Sequence, residues 1–117
     1  MKYKYTLESQ VGVQTDILGM DVNHPFFNLR PTGILTINKG YSWDGMTLYP
    51  DDPTTYYASL YHDCLYQMIQ LKLISSKYKS NADKLLYTTL VQEGHPKIKA
   101  LVVYIAVSVF GNFFLKQ

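Results

Sequence analysis

The sequence predicts an α+β fold, a small N-terminal antiparallel β region packed on three C-terminal helices. Three observations carry that prediction. Up to about residue 50 apolar residues tend to alternate with polar ones, and glycine and asparagine recur between them. Beyond it, apolar residues return at helical spacing. The change falls near Pro50, which separates a mainly β part (1–50) from a mainly α part (51–117) of what reads as one domain.

In the first part, Tyr3, Tyr5 and Leu7 alternate with Lys and Thr, and Val11 and Val13 repeat the pattern. Ile34-Leu35-Thr36-Ile37 is a β-branched run between turn signals. Asn23-His24-Pro25 is a turn, because the residue before proline is pushed out of the helical region. A second turn is expected at Arg30-Pro31-Thr32-Gly33, and Gly40 to Gly45 reads as a glycine-bracketed loop carrying Trp43 and Asp44.

In the second part, Asp51-Asp52-Pro53 is a helix start, with aspartate capping free amides and proline at the first helical position. That helix should run to about Leu73. Ser80-Asn81-Ala82-Asp83 has capping-box spacing and is expected to open a second helix that stops before Gly94. Pro96 can start a third, carrying Ile98, Leu101, Val102, Ile105 and Val109 toward Gly111.

Composition excludes several functions. A formal charge of +2, from 11 basic and 9 acidic residues, supplies no dense basic stripe for nucleic acid. One cysteine excludes an internal disulfide framework and fits a reducing compartment. Met1-Lys2-Tyr3-Lys4-Tyr5 lacks the apolar run of a secretory signal. The apolar stretch from Ala100 to Leu115 is shorter than the ~20 residues of a membrane span. It reads as a buried or partner-facing helix, with a membrane surface as the lesser reading. The 11 Tyr, 5 Phe and 1 Trp suit a chain that builds a core and still offers contact surfaces.

Chemistry concentrates at His62-Asp63-Cys64-Leu65-Tyr66 and at Asp83. On a helical wheel Tyr66 lies one turn beyond both His62 and Asp63. An imidazole held by a carboxylate has a fixed tautomer and orientation, which a general base needs. If the first two helices pair antiparallel, Asp83 can approach His62. The same residues also fit a buried polar knot, with Asp83 capping its own helix. Asp44 and Asp63 are candidate oxygen ligands for a hard cation, Ca²⁺ or Mg²⁺, whereas structural zinc is poorly supported. Cys64 diverges from His62 on the wheel and reads as a small packed hydrophobe. His24 and His95 read as turn or cap residues.

These residues also resemble a known family. Gly40-Tyr41-Ser42-Trp43-Asp44-Gly45-Met46-Thr47, His62-Asp63-Cys64-Leu65-Tyr66-Gln67, Ala82-Asp83-Lys84-Leu85, Gly94 and Val107-Ser108-Val109-Phe110-Gly111 are similar, in order and spacing, to the short, mostly phage-encoded proteins catalogued as domain of unknown function 1353. The resemblance covers about residues 33–111 and implies phage or prophage origin, with the host cytoplasm or the virion as location. Ser108 stands where the family often has arginine, and Leu86 where an aromatic is usual. His62, Asp63 and Tyr66 also match the H-d-x-x-y pattern of secreted phospholipase A2. That weaker resemblance implies a water-activating histidine, a Ca²⁺-binding aspartate and an orienting carboxylate, here His62, Asp63 and Asp83. It lacks that family's disulfides and the glycine-rich loop directly before the helix.

Two functional classes follow. The first is an interaction or virion-associated protein that binds a phage or host protein, its His-Asp cluster being structural. The second is a metal-assisted hydrolase of an ester or phosphoester, with His62, Asp83 and Tyr66 as catalytic candidates. The lack of a recognised substrate pocket, nucleophile elbow or phosphate loop in the sequence favours the first.

Overall fold

The structure, a computed structural model, describes residues 3–46 and 52–115, with side chains to residue 111. The expected breakpoint at Pro50, and Met1, Lys2, Thr47, Asp51 and Lys116, lie outside the described residues. The α+β prediction is met: antiparallel strands come first and three helices follow. The chain divides into two units, Met1–Asp44 and Gly45–Gln117.

The first unit contains six short strands: β1 (Tyr5–Thr6), β2 (Val11–Gln14), β3 (Val22–Asn23), β4 (Phe27–Leu29), β5 (Ile34–Ile37) and β6 (Ser42–Trp43). They form a four-stranded antiparallel sheet in the order β2-β5-β4-β3 and a separate β1-β6 pair. Register follows the pleat. Phe27 faces Ile37 and Leu29 faces Leu35 across β4 and β5, and all four are fully buried on one side. The expected strands at Val11–Val13 and Ile34–Ile37 are present as β2 and β5. The one expected over Tyr3–Leu7 shrinks to two residues.

Trp43 is a correction. It belongs to β6 rather than a loop, and it is buried beside Tyr5 and Tyr41, with ring centroids 5.2 and 6.3 Å away. Two strand residues between glycines are too few to show a period of two, so the pairing with Tyr5 was hidden in the sequence.

Both expected turns are present. After β3, His24 Nδ1 accepts from the Phe26 amide at 3.2 Å, and its ring stacks on Phe27. Between β4 and β5, Gly33 has φ +90°, and its amide donates to the Arg30 carbonyl at 2.8 Å. Its own carbonyl accepts from the Thr15 amide and hydroxyl. A Cβ here would lie 2.6 Å from the Thr15 carbonyl oxygen. Strain and overlap therefore combine, and Gly33→Ala is expected to destabilise the chain by about 2 kcal/mol or more, read from the urea midpoint.

The second unit contains three α-helices: α1 (Tyr56–Gln70), α2 (Lys79–Gln92) and α3 (Lys97–Leu115). Asp52 caps the start as expected. Its Oδ1 accepts from the Thr54 amide at 2.7 Å, Thr55 completes a reciprocal capping box, and Pro53 opens a short 3-10 turn that runs into α1. α1 ends at Gln70, short of the expected Leu73. Lys72 turns left-handed (φ +62°), with its amide bonded to the Ile69 carbonyl and the Leu73 amide to that of Met68. This is a Schellman stop built on a lysine, and lysine carries no sequence signal for one. Lys72→Gly is expected to raise stability by up to about 1 kcal/mol, and an unchanged or lower thermal midpoint would contradict that.

The α2 prediction also needs correcting. The start comes from Ser75, whose hydroxyl accepts from the Lys77 amide ahead of a 3-10 turn at Ser76–Tyr78, so Ser80 and Asp83 lie inside the helix and cap nothing. Gly94 ends α2 as expected, with φ +94°. α3 begins just after Pro96 but continues through Gly111 to Leu115. A core cluster of this unit joins Ala58 of α1, Leu86 and Leu90 of α2, and Ala100 and Val103 of α3.

Candidate functional site

α2 returns along α1 in the opposite direction. Ala58 near the start of α1 packs with Leu86 and Leu90, while His62 and Tyr66, further along, both reach Asp83. The antiparallel pairing posed as a condition by the sequence is therefore met. Asp83 is on the buried side of α2, with only 2% of its side chain exposed.

Oδ1 of Asp83 accepts from the Tyr66 hydroxyl at 2.6 Å and lies 2.8 Å from His62 Nε2. Oδ2 accepts from Lys79 Nζ at 2.7 Å, one helical turn earlier on α2. Burial alone would push the Asp83 carboxyl up. The hydrogen bonds from His62, Lys79 and Tyr66 outweigh it and hold the group below the ordinary carboxylate range. Burial and the adjacent carboxylate push the Tyr66 phenol far up, so it stays a donor. An ionised carboxylate only accepts, so Nε2 of His62 must carry the proton it shares with Asp83. In the neutral ring the lone pair is then on Nδ1.

Nδ1 faces a different carboxylate. Asp63 Oδ1 lies 4.0 Å away, beyond hydrogen-bond reach, and 29% of the Asp63 side chain is exposed against 10% for His62. The imidazole, itself buried, thus has one nitrogen fixed by Asp83 and the other turned toward a more accessible carboxylate. Tyr66 supports it from below, its ring centroid 4.1 Å from that of His62.

Lys79 carries the network to the third helix. Its Nζ also donates to the Val107 and Ser108 carbonyls, each at 3.2 Å. Lys79 is thus the cation paired with Asp83. Gly111 explains how α3 comes so close: a Cβ there would overlap the Tyr66 hydroxyl and crowd Lys79.

Asp44 belongs to the first unit, directly after β6, and is exposed. Cys64 is buried, and burial pushes its thiol well above the ordinary value, so it is the packed hydrophobe the wheel implied and no thiolate. His95 is buried, with Nδ1 2.7 Å from the Thr54 hydroxyl, and joins the α2–α3 connection to the start of α1. Among the described residues, no group of three or more His, Cys, Asp or Glu side chains is placed to hold a metal ion. Lys79 is the member that sequence reasoning missed, and its four-residue spacing from Asp83 was the available signal.

A family model described as "Protein of unknown function (DUF1353)" matches residues 22–107, well over half of the chain. The chain belongs to that family. The match begins earlier than the motifs suggested and takes in β3 and β4, while its helical part contains His62, Tyr66, Lys79 and Asp83. No match was found among curated proteins or among solved structures. Family membership therefore carries no activity with it, and the chemistry rests on the site.

Proposed function

We propose that His62 and Asp83 form a general-base dyad that activates water for hydrolysis of an ester or phosphoester. The observation that supports this reading is the asymmetry of the imidazole. Nε2 is committed to a buried carboxylate that Tyr66 and Lys79 hold in place, while Nδ1 lies 4.0 Å from the more exposed Asp63. Nδ1 would take a proton from water as its oxygen adds to the carbonyl or phosphoryl centre. The imidazolium so formed is stabilised by Asp83, and its Nδ1 proton passes to the departing alkoxide, which leaves as the alcohol. The placement is similar to the H-d-x-x-y arrangement of secreted phospholipase A2, with Asp83 as the carboxylate from the neighbouring helix.

A Ca²⁺ or Mg²⁺ ion in that arrangement would need several oxygen ligands. Asp63 offers one beside Nδ1, and the described residues bring no set of three together. No step is therefore assigned to a metal. The phage or prophage origin implied by the motif pattern would place the protein in the host cytoplasm or the virion, and no helix among the described residues is long and apolar enough to cross a membrane.

The test is turnover of p-nitrophenyl esters and bis-p-nitrophenyl phosphate by the purified chain, with Ca²⁺ and with a chelator. Turnover that disappears in His62→Gln supports the dyad. A wild-type chain no faster than buffer on either substrate class, under both conditions, sinks it and leaves the structural cluster of an interaction protein.

A further inference from the structure

α3 is apolar on both faces. Ala100, Val103 and Gly111 are buried on its inner side. On the opposite side Ile98, Leu101, Val102, Ile105 and Val109 are exposed, Ile98 to 79%, and Phe110 is exposed at their flank. Residues 98, 102, 105 and 109 recur at one-face spacing, so they form a continuous stripe about 16 Å long. A helix that is apolar all round is ordinarily covered all round. A bare stripe of this length marks a contact surface.

Charge decides what covers it. Residues 97–115 contain no Asp or Glu, Lys97 and Lys99 are exposed in the first turn, and Lys116 follows the helix in sequence. Lysines at a helix N-terminus oppose the macrodipole, an unfavourable placement unless negative charge lies beyond them. A second copy supplies none. Antiparallel stripes would set Lys97 and Lys99 against the uncharged Phe110 and Ser108, and parallel ones would set the lysines against themselves. An anionic bilayer surface answers both features, taking apolar side chains at the acyl boundary and lysines at the phosphates. The inner face is already engaged by the core, so the helix would lie along such a surface.

We propose that the outer face of α3 docks on an anionic lipid surface, with Ile98, Val102, Ile105 and Val109 entering its apolar boundary and Lys97 and Lys99 at the headgroups. This is independent of the dyad and holds or fails without it. The test is co-sedimentation of the full chain with vesicles of phosphatidylglycerol and phosphatidylcholine in equal parts, against phosphatidylcholine alone. Binding to the mixed vesicles is expected, weakening about tenfold or more without the anionic lipid or in high salt. Val102→Asp with Ile105→Asp should abolish it while the circular dichroism spectrum is unchanged. Lys97→Glu with Lys99→Glu, which leaves the stripe intact, should weaken it strongly. The proposal is overturned if the chain stays in the supernatant with anionic vesicles, or if both double variants bind like wild type. A stripe-dependent dimer, or a stripe-dependent soluble protein complex, that vesicles do not displace would overturn it equally.

Discussion

Replacing His62 by glutamine is expected to lower ester or phosphoester turnover by about 10²- to 10⁴-fold, the usual worth of a positioned general base. Stability should change by no more than about 1 kcal/mol. Glutamine keeps an N–H that can donate to Asp83 Oδ1, so the buried carboxylate retains a partner on that side. It has no group that takes a proton from water near neutral pH. The substitution therefore separates a base from a clamp, which alanine would not, because alanine also removes the donor. Rates and urea midpoints measured on the same preparations make the comparison. Turnover retained in His62→Gln would assign the reaction to other residues and leave His62 as a hydrogen-bond donor within a structural network.

The sequence carried the fold in proportion to element length. α1 and α2 span several turns, and β2 and β5 alternate over four residues, so periodicity found them. β1, β3 and β6 have two residues each and exist through their cross-strand partners, which no local window contains. Helix ends were legible where a residue type announces them, as Asp52-Pro53 and Gly94 do. They were missed where backbone geometry overrode type, as at Lys72. Gly111 misled for the opposite reason: glycine there serves close helix approach, not termination.

The same division runs through the site. His62 and Tyr66 share a helix face by spacing alone, and the pairing of Asp83 with them follows once two helices fold back on one another. The apparent capping box at Ser80–Asp83 pointed to an ordinary role, because capping rules cannot show that α2 has already started at Lys79. The reach of Lys79 to the carbonyls of Val107 and Ser108 depends on where α3 packs, and nothing in the spacing between residues 79 and 107 encodes it.

Removing the carboxylate altogether should have the largest effect on stability. Asp83→Ala would leave the Lys79 ammonium, largely enclosed, beside carbonyls alone, and would strip Tyr66 and His62 of their shared acceptor. Breaking a buried pair from one side in this way costs about 3–5 kcal/mol. Lys79→Met should cost less, because His62 and Tyr66 still donate to the carboxylate. Acid should reproduce part of the loss in the wild type. The folded-state pKa of Asp83 lies below its unfolded value near 3.8, so the ionised form is the one the fold favours. That contribution is fully present above the unfolded value and disappears as pH falls through the lower folded value. Unfolding midpoints followed from neutral pH down to about pH 3 should therefore drop in the wild type by more than in Asp83→Asn, which has no proton to gain at this position. Parallel acid limbs for the two proteins, or an Asp83→Ala chain as stable as wild type, would show that the three helices are held together without this network.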